Sequence, residues 1–83
     1  MPLPKPIGDG VDLRTLVESG TYIRESGAGV STALNYPLNA AGTLEVLSKG
    51  PAIYHRYTSR PDVGSRVFTC GNFNGTWFPW VEH

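Results

Sequence analysis

Arg66-Val67-Phe68-Thr69-Cys70, followed by Asn74-Gly75-Thr76-Trp77-Phe78-Pro79-Trp80, is the stretch that decides how this chain reads. An Asn-Gly pair between two apolar, aromatic runs is the strongest short-range hairpin signal. Both central residues of a type I′ turn take φ > 0, which Asn and Gly tolerate at low cost. The second strand ends in Trp77 and Trp80, a large part of what so small a chain can bury or offer to a partner. No stretch elsewhere carries a catalytic motif of similar clarity. The sequence speaks of architecture and attachment more than of chemistry.

Upstream of the hairpin, Ala52 to Thr58 is dense in β-formers and reads as a strand. Alternation places Ile53, His55 and Tyr57 on one face and Tyr54, Arg56 and Thr58 on the other, with the first face inward. Gly50-Pro51 separates this strand from another at Thr43 to Leu47, and Arg60-Pro61-Asp62-Val63-Gly64 turns the chain into Arg66 to Cys70. Residues 26–42, rich in Ser, Gly, Ala, Asn and Pro, read as a long loop in which Leu34, Tyr36 and Leu38 tuck against the body. Thr21 to Arg24 is a short strand. Val11 to Val17, with Asp12 placed to cap and Ser19-Gly20 to stop it, predicts a helix of one or two turns. The expected fold is mainly β (small α+β): an antiparallel meander of four to five strands with a short N-terminal helix. No internal repeat and no low-complexity tract interrupts it.

Eighty-three residues make one domain, near the size at which a single hydrophobic core gives only marginal stability. With one cysteine, Cys70, an internal disulfide is excluded. Two histidines and that cysteine do not make a zinc set, which needs four organised ligands. No cofactor or metal is expected. Oligomerisation, or continuation into a longer protein, is the expected support. Residues 1–10, with prolines at alternating positions from Pro2, read as an extended linker, which suggests that something larger precedes the domain at 11–83. The start lacks the apolar run of a signal peptide or membrane anchor, so no membrane insertion is expected. His83 is compatible with the remnant of an expression tag.

Seven Lys/Arg balance seven Asp/Glu, and the charges are scattered. Arg56, Arg60 and Arg66 form a mild basic cluster with Asp62 inside it. A nucleic-acid binder presents a more pronounced basic face, so no nucleic-acid partner is expected.

The order of these features resembles a known family. Asp12, Leu13 and Leu16 form an Asp-Leu-x-x-Leu segment leading to Ser19-Gly20-Thr21-Tyr22. A Pro-containing loop then reaches Gly42-Thr43-Leu44-Glu45-Val46, a strand ends at Tyr57, and the chain closes with an Arg-Val strand and Asn-Gly-Thr-Trp-x-x-Trp. Over residues 10–82 this succession is similar to the knob domains of pyocin tail fibres and of related phage tail fibres and tailspikes. The chain departs from that family at His55, where Gln is frequent, and around Thr69 or Cys70, where an Arg is common. No role of those two family residues transfers. The resemblance implies a knob-like β domain at 11–83. It also implies a non-enzymatic module of a homotrimeric fibre in a virion tail or phage-tail-like bacteriocin particle, extracellular on release, that contributes to assembly and host-surface attachment.

Tyr54, Arg56, Tyr57, Trp77 and Trp80 are the candidate binding residues. Aromatic faces stack on the C–H faces of sugars while Arg hydrogen-bonds the hydroxyls, and a host cell-surface glycan is the natural ligand for such a platform. The same aromatics serve equally as core or subunit interface, since each buries about 150–250 Å². If one of the two tryptophans is exposed, it is expected to be Trp80, beside Pro79. His55 and Cys70 sit on different strands and could approach one another, but no acid partner or oxyanion loop accompanies them. Asp9, Asp12, Glu18 and Glu25 are concentrated on the N-terminal segment and build no glycosidase cleft. Residues 26–31 are Gly-rich without the Lys-Ser/Thr ending of a phosphate loop, and the turn explains Asn74-Gly75-Thr76 without a glycan. No catalytic residue is assigned. The leading reading is a structural and attachment module of a tail fibre. The alternative is a carbohydrate-binding module with an exposed aromatic patch, which requires two aromatics side by side in solvent.

Overall fold

A computed structural model describes residues 4–83; residues 1–3 of the expected linker lie outside the described residues. One mixed, seven-stranded sheet organises the chain. Its strands are β1 (Lys5–Pro6), β2 (Gly20–Arg24), β3 (Gly42–Lys49), β4 (Ala52–Ser59), β5 (Val67–Phe73), β6 (Thr76–Trp77) and β7 (Val81–Glu82). The spatial order is β1-β2-β3-β4-β5-β6, and β7 also pairs with β5. The three long ladders, β2–β3, β3–β4 and β4–β5, are antiparallel.

The structure corrects the expected meander in two respects. The sheet has seven strands and is not wholly antiparallel, because β1 runs parallel to β2, pairing Lys5 with Tyr22 and Pro6 with Ile23. Ile7 follows directly, buried, and its amide bonds to the Ile23 carbonyl at 2.8 Å, which ties residues 5–7 to the sheet. The predicted helix is a single 3-10 turn, Leu13–Thr15, and the described residues contain no α-helix. Asp12 caps the turn as expected, its carboxylate accepting from the Arg14 amide at 2.8 Å. The turn does not propagate because Leu16 is already extended, at φ −89° and ψ 90°. A first helical turn fixes several dihedrals for one hydrogen bond, and seven residues cannot recover that cost. Burial of Leu13 and Leu16 against the sheet outweighs it.

The Asn74-Gly75 hairpin forms as read. Both residues have positive φ, 53° and 87°, between the paired Phe73 and Thr76. The Asn72 side-chain oxygen accepts from the Gly75 amide at 3.0 Å.

The core lies on one face of the sheet only. Tyr22, Leu44, Val46 and Tyr57 project from β2, β3 and β4 into a cluster closed by Ile7, Leu13, Val30 and Tyr36. Those last four come from the irregular segments, so the second layer of this domain is loop rather than helix. The loop can cover the sheet because its backbone is hydrogen-bonded locally, in the 3-10 turn Thr32–Leu34, and because core side chains meet it. The Tyr57 hydroxyl donates to the Ala40 carbonyl at 2.6 Å, and the buried Arg24 guanidinium donates to the carbonyls of Ile7 and Ala28 while pairing with Asp9. Gly42 sits tight against the β4 backbone: a Cβ there would fall on the Thr58 carbonyl and the Ser59 Cα.

Candidate functional site

The candidate residues separate according to strand alternation. On β4, Tyr57 and His55 face the core and are almost wholly buried, whereas Tyr54 and Arg56 are exposed on the other face. Trp77 and Trp80 join the inner side. Trp77 packs against the His55 ring, tilted at 54° with centroids 4.9 Å apart, and Trp80 lies 6.2 Å from His55 and 6.4 Å from Tyr57. The structure therefore brings Tyr57, Trp77 and Trp80 together and keeps Tyr54 and Arg56 apart from them.

Trp80, like Trp77, is half-buried, and its indole N–H donates to the Asn35 carbonyl at 2.8 Å. In an unbroken strand Trp77 and Trp80 would face opposite ways. Pro79 stops the pairing of β6 before β7 begins, so both rings reach the same side. Asn35 in turn donates to both carboxylate oxygens of Asp12, at 2.8 and 2.9 Å. Residues far apart in the chain thus form one continuous cover over the inner face.

His55 sits beneath this cover. Its Nε2 lies 2.9 Å from the Leu16 carbonyl, which can only accept, so Nε2 carries the proton; Nδ1 is buried without a hydrogen-bond partner. Burial pushes the imidazole below its ordinary value, the Leu16 carbonyl acts the other way, and the Arg14 guanidinium adds to the lowering. Cys70 is the direct cross-strand neighbour of His55. Burial pushes its thiol up to about 11, with Arg14 opposing. A thiolate–imidazolium nucleophile needs both shifts reversed, so the two side chains meet as neutral groups. Burial likewise raises Tyr57 above the ordinary phenol value. Among the described residues no cluster of His, Cys, Asp and Glu can hold a metal ion, and no helix is long and apolar enough to cross a membrane.

The outer face carries a different pattern. Ladder register groups its residues into levels across the sheet: Leu47, Tyr54, Gly71; then Thr21, Glu45, Arg56, Thr69, Val81; then Ile23, Thr43, Thr58, Val67. The amide of Phe78 bonds to the Gly71 carbonyl at 2.8 Å, which sets Phe78 on the first level, on the side opposite Trp77. Phe73 lies one level beyond, opposite Ala52. Among the described residues, five of the six exposed large hydrophobic residues (Leu47, Tyr54, Phe73, Phe78 and Val81) belong to this face, which no segment of the described chain covers. Glu45 and Arg56 are cross-strand partners, yet neither makes an ion pair among the described residues. A cavity of about 480 Å³ opens between the two levels, walled by Leu47, Tyr54, Glu45 and Arg56 over Gly71.

Sequence reasoning singled out Tyr54 and Arg56 but missed Glu45, Leu47, Phe73 and Phe78. Extending the alternation of Tyr54, Arg56 and Thr58 across the ladder registers would have found them. The basic cluster does not converge. Arg60 is held by Asp62 at 2.9 Å and Arg66 by Glu82 at 2.7 Å, leaving Arg56 alone on the outer face.

No family model matches the chain, and no curated protein matches its sequence. Solved structures do. An N-truncated R2-type pyocin tail fibre superposes with a TM-score of 0.84 at 29% identity, over 95% of this chain and 31% of that one. The C-terminal part of the Pseudomonas aeruginosa R1 pyocin fibre gives 0.82 and 27%, over 95% and 21%. The corresponding part of the R2 fibre gives 0.84 and 29%, again over 95% and 21%. This chain spans a third or less of the length of those fibre chains. Its fold, followed from end to end at that level of identity, makes it a domain related to those of pyocin tail fibres.

Proposed function

We propose that this chain is a non-enzymatic structural and attachment module of a phage or phage-derived tail fibre. In this reading it works as a homotrimer that supports fibre assembly and presents a host-binding end, on a particle that acts outside the cell that made it. The observation that carries the reading is the uncovered sheet face. Contiguous apolar surface of this kind marks an interaction site, and a domain of this size gains stability by burying it. The chemistry on the inner side supports a module without catalysis, because His55 and Cys70 are neutral neighbours under a tryptophan cover.

Sedimentation equilibrium of the purified chain at two concentrations tests this. A mass rising to three times that of the 9.0 kDa chain is expected. A monomer at every concentration, or a closed dimer, overturns self-assembly through this domain.

A further inference from the structure

The levels of the outer face also point to how copies meet. We propose that three copies stand around an axis parallel to the β3–β5 strands with their outer faces turned inward, so that Glu45 of one copy pairs with Arg56 of the next. This rests on the trimer reading above and adds the face and the register.

Ladder partners lie at the same height along the strands, and rotation about an axis parallel to those strands preserves height. Glu45 on β3 and Arg56 on β4 share one level. Around a closed three-fold axis the β3 side of each copy meets the β4–β5 side of its neighbour, a heterologous contact that closes as a ring. Glu45 therefore approaches Arg56, with Thr69 beside it, at one height. Both charges lack an ion-pair partner among the described residues, so the pairing satisfies groups that the monomer leaves unused. The adjoining level assembles three copies of Leu47, Tyr54 and Phe78 into an apolar layer, with the hollow over Gly71 available to a neighbour's side chain. An apolar layer next to a charged one fixes register as well as affinity, since a slip along the axis would bring Leu47 against Arg56.

The area is modest. Four inter-strand steps by four levels make a face of roughly 500 Å² at ordinary strand spacing. Three such faces bring together about 1,500 Å², shared among three pairwise contacts of about 500 Å² each, so closure of the ring rather than any single contact holds the assembly.

Charge reversal in the intact chain tests the register, with sedimentation equilibrium as the readout. Glu45→Arg and Arg56→Glu each place like charges at one level and should weaken trimerisation by roughly 30-fold or more. The double variant Glu45→Arg/Arg56→Glu restores the opposition and should return to within roughly threefold of the unaltered chain. Leu47→Asp should weaken assembly by about 100-fold or more, because it buries an unpaired charge in the apolar layer. Glu18→Arg, away from this face, should change nothing. An unaltered chain that stays monomeric overturns the trimer reading itself. A trimer that tolerates both single reversals and Leu47→Asp overturns only the assignment of this face. Weakening by each single reversal without rescue in the double overturns the Glu45–Arg56 pairing.

Discussion

The two faces of one sheet in this domain differ in almost every physical respect, although the same strands supply both. On β4, Tyr57 is fully buried, its ring edge-on to Tyr36 at 5.6 Å and its hydroxyl on the Ala40 carbonyl; three residues away, Tyr54 is more than half exposed. The inner face is finished within the chain, since irregular segments cap it and, among the described residues, its buried side-chain polar atoms apart from His55 Nδ1 have partners. The outer face is unfinished. Its apolar side chains have no cover and two of its charges no partner. The contrast teaches that half of this sheet holds the monomer together while the other half awaits something outside it.

The largest expected effect divides those two tyrosines. Tyr57→Ala removes a buried ring and should cost about 3–5 kcal/mol, a large fraction of the total stability of so small a domain. Tyr54→Ala, measured at concentrations where the chain is monomeric, should move the urea midpoint by no more than about 0.5 kcal/mol. Comparable losses at the two positions would break the distinction between the faces.

Gly42→Ala comes next. The position is buried, and an added Cβ meets backbone atoms of β4 that cannot rotate aside. About 1–3 kcal/mol should be lost, as for overpacking elsewhere. Gly71→Ala is the companion. Its nearest obstacle, the Ile53 carbonyl at 3.2 Å, leaves room for a small adjustment, so the loss should be smaller.

Acid should act through the inner face. Burial holds the His55 imidazole below its ordinary value of about 6.5, so as pH falls the unfolded chain takes the proton first. Stability is therefore constant above that pH and declines as pH drops toward the lowered value in the fold. Stability should fall between pH 7.5 and pH 5.5, and His55→Phe should flatten the profile over that interval. A profile left unchanged by His55→Phe would show that the imidazole is not buried neutral beneath Trp77 and Trp80.

How far the sequence carried these distinctions depended on range. The Asn74-Gly75 turn and the alternation in Ala52–Thr58 are set by neighbours in the chain, and both were legible. The parallel pairing of Lys5–Pro6 was not, because a Pro-rich pair has no strand signature and is placed by a partner 17 residues away, through the burial of Ile7 and Arg24. The short helix was misread because propensity ignores what Leu16 gains by leaving the turn. Its side chain joins the core and its carbonyl meets His55. The five candidate residues share no single site because a list of aromatics carries no face. Only register separates Tyr54 from Tyr57 and brings Glu45, Leu47 and Phe78 beside it.

The smallest expected effect concerns the sheet edge, where both faces end. Arg66 grips Glu82 with two hydrogen bonds of 2.7 Å, raising the guanidinium and lowering the carboxyl from their ordinary values. The bidentate geometry is good, but both groups are exposed, and water screens such pairs strongly. Glu82→Gln should leave the urea midpoint unmoved. The pair does close a two-residue strand, and the amide of His83 bonds to the Val67 carbonyl at 2.8 Å just beyond it. Local opening needs only that short segment to detach, so the His83 amide should exchange with solvent roughly two- to fivefold faster in the variant. A fall in the midpoint itself would mean that β7 is part of what holds the inner face shut rather than an edge laid against it.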